Sequence, residues 1–92
     1  MYAVIAESDK TRDIYVFKCD HEPDDTEFGY FVRDEYPDHF QADPVDWDDD
    51  DCGGIAYMTI MDIIEIDEDQ KSVTYEGKDY DLTGAKVIEG YV

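Results

Sequence analysis

Between Asp20 and Asp51 the chain carries fourteen carboxylates against a single strong base, Arg33, and the stretch ends in Asp46-Trp47-Asp48-Asp49-Asp50-Asp51. Unpaired charges are almost never fully buried, so this segment belongs on a surface, where its self-repulsion opposes compaction. A core must therefore come from the flanking segments and from the few aromatic residues inside the acidic block. The material exists: 42% of the residues are hydrophobic and 14% are aromatic, well above a disordered composition. Ninety-two residues imply one domain spanning 1–92, burying roughly 60–65% of the surface its unfolded chain exposes.

Ahead of the block, residues 2–7 alternate loosely and run into the polar turn Ser8-Asp9-Lys10-Thr11-Arg12-Asp13. The β-branched and aromatic segment Ile14-Tyr15-Val16-Phe17 follows. Two such runs around a short turn predict an antiparallel hairpin closed by Cys19. Within the block, Phe28, Phe31, Val32 and Tyr36 recur at i, i+3, i+4 and i+8, which predicts a helix over 25–36. Asp24 or Asp25 supplies a cap, Glu27 suits the first turn, and Pro37 stops the pattern. Gly29 weakens it, and a strand over 28–33 is the alternative. The helical reading turns the aromatic stripe inward and leaves Glu27, Asp34 and Glu35 toward water.

From Asp38 to Gly54 the prolines, the acid run and Gly53-Gly54 predict an irregular loop, pinned by Phe40, Val45 and Trp47. Ile55 to Ile66 is a long apolar run interrupted by Asp62 and Glu65. Ser72-Val73-Thr74-Tyr75 and Asp79-Tyr80-Asp81-Leu82 flank Glu76-Gly77-Lys78, a second hairpin with glycine at its turn. Lys86 to Val92 alternates as a last strand. The fold class expected is α+β: a small, bent antiparallel sheet of about five or six strands with one short helix or an ordered acidic loop across it.

The net charge of −19, from 26 acids and 7 bases, exceeds what solubility asks for and corresponds to roughly nine or ten base pairs of duplex. It sets nucleic acid and anionic membranes aside as direct partners, since both would repel the chain. Five lysines against two arginines, few alanines and many aromatics also argue against a salt-adapted surface. The N-terminal Met1-Tyr2-Ala3-Val4-Ile5-Ala6-Glu7 lacks the basic and long apolar regions of a signal peptide, and no stretch approaches 18 apolar residues. With only Cys19 and Cys52, unpaired by any metal-type spacing, the expectation is a cytoplasmic protein with reduced thiols, a single disulfide being the alternative.

The acid run does not fit a dedicated metal site. An EF-hand register begun at Asp46 puts Asp51 at the glycine position and Tyr57 at the glutamate position. One begun at Asp48 places Gly53 correctly but Cys52 and Thr59 at ligand positions. Some carboxylate pair falls at glycosidase spacing by chance among 26 acids, so the pairing carries no information about catalysis. His21 and His39 lack zinc-type partners, Cys19-x-His21 being incomplete, and no G-x-S-x-G or phosphate loop occurs. No enzyme, cofactor or metal is expected.

In size, charge and folded composition the chain resembles the acidic DNA-mimic inhibitors of phages and mobile elements, among them antirestriction proteins, anti-CRISPR proteins and inhibitors of uracil-DNA glycosylase. The likeness covers the whole chain's make-up and no motif, so it transfers no functional residue. It implies a monomer or homodimer that occupies the basic nucleic-acid groove of a host nuclease or CRISPR effector. Acids on one strand face recur at about 6.6–6.8 Å, and i, i+4 acids on a helix lie about 6 Å apart, both close to phosphate stepping. The candidate contact residues are Asp46, Asp48, Asp49, Asp50 and Asp51, then Asp24, Asp25, Glu27, Asp34, Glu35 and Asp38. Trp47 serves either as a hot-spot aromatic or as a loop anchor. The alternatives are an acidic accessory subunit for a basic partner and a Ca²⁺-binding module.

Overall fold

The structure, a computed structural model, describes residues 1–42 and 54–88. Strand β1 (Tyr2–Ser8) and strand β2 (Ile14–Cys19) form the first hairpin in antiparallel register from Tyr2↔Cys19 to Glu7↔Ile14. Its turn is held by Ser8 N–H donating to the Asp13 carbonyl and Arg12 N–H donating to the Ser8 carbonyl. The Ser8 hydroxyl also accepts from the amides of Lys10 and Thr11.

Helix α1 (Asp25–Glu35) starts where the sequence places it. Asp24 is the N-cap, its carboxylate accepting from the Glu27 amide at 2.7 Å. Tyr36 caps the other end, and Pro37 opens a single 3₁₀ turn, Pro37–His39. The helix presents Phe28, Phe31 and Val32 to the sheet, all 3% exposed or less. Phe17 of β2 is the hub of this contact: its ring lies 4.8 Å from Phe31, 5.6 Å from Tyr36 and 6.0 Å from Phe28, edge-on or tilted. Such pairs add about 0.5–1.5 kcal/mol each beyond area burial.

The segment expected as loop begins instead with a strand. β3 (Phe40–Ala42) pairs antiparallel with β4 (Gly54–Ala56), Phe40 facing Ala56. Tyr57 turns the chain into β5 (Met58–Glu65), which pairs antiparallel with β1 on the side opposite β2. The register slips between Ile5 and Ala6, so that Met61 bulges and stands about half exposed. β6 (Ser72–Tyr75) and β7 (Lys78–Asp81) form the last hairpin. Its two turn residues, Glu76 (φ 51°) and Gly77 (φ 77°), both take the left-handed conformation that a two-residue hairpin turn requires. Finally β8 (Val87–Ile88) pairs parallel with β2, where an antiparallel sheet throughout was expected.

The main sheet thus runs β5-β1-β2-β8 and is covered on both faces. Val4, Ala6, Phe17, Cys19, Met58 and Ile88 pack under α1. Ala3 and Ile5 pack with Ile66, Val73 and Leu82 beneath the β6–β7 hairpin. This two-sided burial explains why β1 reads as nearly continuous apolar sequence rather than a clean alternation. The α+β expectation holds, with eight short strands, one helix and one 3₁₀ turn among the described residues.

Candidate acidic surface

Apart from Glu27, the predicted contact residues divide into three groups. Asp46, Trp47, Asp48, Asp49, Asp50 and Asp51 lie outside the described residues. Asp24 and Asp25 are exposed at the N-terminus of α1, whereas Asp34, Glu35 and Asp38 are exposed around its C-terminus. A rise of about 1.5 Å per residue separates the two groups by roughly 14 Å along the axis. They do not merge into one unbroken row.

Glu27 is the correction. Expected toward water, its side chain is 2% exposed. It stands four residues before Phe31, at the margin of the apolar stripe, and His21 makes its burial tolerable. The His21 Nε2 lies 2.7 and 2.8 Å from the Glu27 carboxylate oxygens, while Nδ1 lies 2.6 Å from Asp20. Hydrogen bonding to Asp20 and then to Glu27 raises the His21 pKa, and the same Asp20 bond lowers that of Asp20. A buried carboxylate held this way ties the end of β2 to the start of α1. The sequence signal was the D-x-x-E pattern of Asp24 and Glu27 with a histidine three residues upstream of the cap.

The acids at the helix C-terminus are placed where the macrodipole disfavours them, by about 0.3–1 kcal/mol each. Their neighbours offset part of this: Arg33 Nε donates to Asp34 at 3.0 Å and Lys86 Nζ to Glu35 at 2.7 Å. Acids are not confined to the 20–51 block, however. Asp67, Glu68 and Asp69 in the β5–β6 turn and Glu76, Asp79 and Asp81 on the last hairpin are exposed as well.

Two clusters invite a chemical reading, and their geometry argues for structural roles. Among the described residues, Cys19, Asp20 and His21 are the one group with metal-ligand atoms gathered within 4.8 Å. Cys19 Sγ lies 3.7 and 3.9 Å from the two ring nitrogens, nearly equal distances that place it beside the ring rather than along a nitrogen lone pair. Both nitrogens already meet carboxylates. The thiol donates to the Ile88 carbonyl at 3.2 Å, and burial, followed in smaller measure by the Glu27 and Asp20 charges, pushes its pKa up. Cys19 is a buried free thiol, and Cys52 lies outside the described residues. The Ser8 hydroxyl and His39 Nδ1 are 2.8 Å apart, but Ser8 is fully buried and spends its lone pairs on the hairpin turn.

Comparison with known protein families, known proteins and solved structures finds no match. The functional reading therefore rests on charge and geometry. No helix among the described residues is long and apolar enough to cross a membrane. Seven acids (Asp43, Asp46, Asp48, Asp49, Asp50, Asp51 and Glu89) fall outside the described residues while every base falls inside, so the described part carries −12 of the −19. Its longest dimension is 41 Å. A duplex of that length carries about 24 phosphate charges, at one per 1.7 Å. The described part alone reaches half that density.

Proposed function

We propose that this chain is a nucleic-acid mimic: a cytoplasmic, non-enzymatic inhibitor that binds the basic DNA- or RNA-binding surface of a nuclease or CRISPR effector and excludes the nucleic acid. The observation that carries this reading is a net charge of −12 on the described part alone, half the charge of a duplex of equal length, with Asp24, Asp25, Asp34, Glu35 and Asp38 exposed on or beside α1. A rigid framework presents these charges without an ordering cost at binding, which a flexible acidic tail must meet. Opposite charge also accelerates encounter, so the protein competes with nucleic acid kinetically as well as at equilibrium. Asp24, Asp25, Asp34, Glu35 and Asp38 contribute from α1 and its two flanks, and Asp46 and Asp48 to Asp51, with Trp47, from the acid run. Glu27 is left out of this set because it is buried against His21.

The test is affinity capture from host lysate cleared of nucleic acid, washed at graded salt, followed by affinity measurement on the retained protein. Replacing Asp48, Asp49, Asp50 and Asp51 by Asn should weaken binding in proportion to the charge removed and flatten its salt dependence. Unchanged affinity would remove the acid run from the contact.

A further inference from the structure

β5 is an edge of the main sheet, and among the described residues no strand pairs with its outer side from Ile60 to Glu65. Its inner side is fixed by two bonds: Ile66 N–H donates to the Met1 carbonyl and Asp9 N–H to the Tyr57 carbonyl. Alternation along an antiparallel ladder then turns the backbone groups of Ile60, Ile63 and Glu65 outward. The Ile63 amide meets the side chain of Asp62 at 2.9 Å, as an outward amide without a strand neighbour would.

The two faces beside this edge differ in chemistry. On the α1 side a cleft of about 300 Å³ opens between the helix and β4–β5, lined by Phe28, Gly29, Ala56, Met58, Thr59 and Ile60 with Asp25 at its margin. On the hairpin side Asp62 pairs with Ile5, two residues before Glu7 on the same face of β1, and the β6–β7 hairpin covers this face with the exposed Glu76 at its turn. Burial and then the charges of Glu76, Asp62, Tyr80 and Glu7 push the Tyr75 phenol up. Arg12 is 3.6 Å from Glu7.

We propose that the open edge of β5 accepts an extended cationic segment of the partner protein as an added strand. Its apolar residues face the cleft under α1, and its Lys or Arg residues face Glu7, Asp62 and Glu76. Charge selects this occupant. A second copy would bring −19 against −19 and set Asp62 and Glu65 against their own kind, so self-pairing of the edge is opposed. A basic strand removes that repulsion and gains both backbone bonds and an apolar seat. The inference deepens the mimic reading by giving the partner a backbone contact that a purely electrostatic decoy would lack.

The test uses the full chain and a fluorescent eight-residue peptide of alternating Lys and Val, compared with the same peptide N-methylated at every residue. Methylation keeps charge and side chains but abolishes strand pairing. Binding is followed by anisotropy at about 0.05 M salt, where screening is weak. Amide hydrogen exchange is read at Ile60 and Glu65. The parent peptide should bind at least tenfold tighter than the methylated one and slow exchange at those two amides. Equal binding of the two peptides, binding of neither, or protection confined to other residues would overturn strand addition. Equal binding would leave charge mimicry standing, whereas capture of no basic protein in the lysate experiment would sink mimicry without touching this result.

Discussion

Asp24 is asked to serve the fold and the proposed contact at once, and two substitutions separate the roles. Its backbone is extended (φ −92°, ψ 177°), and its carboxylate accepts from the Glu27 amide at 2.7 Å, satisfying a donor that the helix leaves unpaired. Asp24→Ala removes that bond, at about 1 kcal/mol, and the favourable charge at the helix N-terminus, at about 0.5 kcal/mol. The loss of about 1.5 kcal/mol lowers Tm by roughly 6–12 °C in a domain of this size. Asp24→Asn keeps a capping oxygen and gives up only the charge, so its Tm falls by roughly 2–4 °C. Thermal melts followed by far-UV circular dichroism, at low salt and at about 0.5 M, distinguish the two components, because screening erases the charge part and spares the hydrogen bond. An Asn variant as unstable as the Ala variant would refute the capping account. In binding, both variants should lose equally, since both lack the charge.

Other outcomes follow from the same structure. Phe17→Ala empties the centre of the aromatic cluster under α1 and should cost about 3–5 kcal/mol in urea unfolding, with the slope unchanged. Gly77→Ala meets no atom within 4 Å yet must hold φ near +77°, so the cost, about 1–2 kcal/mol, is conformational alone. The raised pKa of His21 makes its contribution to stability complete below its unfolded value near 6.5 and lost as pH rises through the higher folded value. The depressed pKa of Asp20 makes its contribution present above about 3.8 and lost as pH falls through the lower folded value. Tm should therefore decline in the wild type as pH rises above about 6.5, and His21→Gln should abolish that decline; parallel pH profiles would contradict the assignment.

Local chemistry made much of the fold legible. The β6–β7 turn announces itself because Gly77 accepts a positive φ, and α1 because Phe28, Phe31, Val32 and Tyr36 share a face that Pro37 ends. What stayed hidden depends on partners distant in sequence. The pairing of Phe40–Ala42 with Gly54–Ala56 joins two three-residue strands across the acid run, and neither carries a signal alone. β8 joins β2 in parallel through Lys18↔Val87 and Cys19↔Ile88 alone, too short a run to carry a signal of its own. The bulge at Met61 shifts the faces of Ile60 and Ile63, so the apolar run of β5 shows no steady period. At the candidate surface the acidity was plain, but the burial of Glu27 needed knowledge that His21 folds back over it.

The most direct test of the mimic claim is competition at fixed ionic strength. The basic protein retained in the lysate capture is mixed with labelled duplex DNA or guide RNA, and this chain is titrated in while anisotropy and sedimentation are followed. Mimicry predicts that labelled nucleic acid is released as the acidic chain binds, with no species containing all three. A stable ternary complex, with the nucleic acid retained at saturating inhibitor, would contradict the claim and favour an acidic accessory subunit.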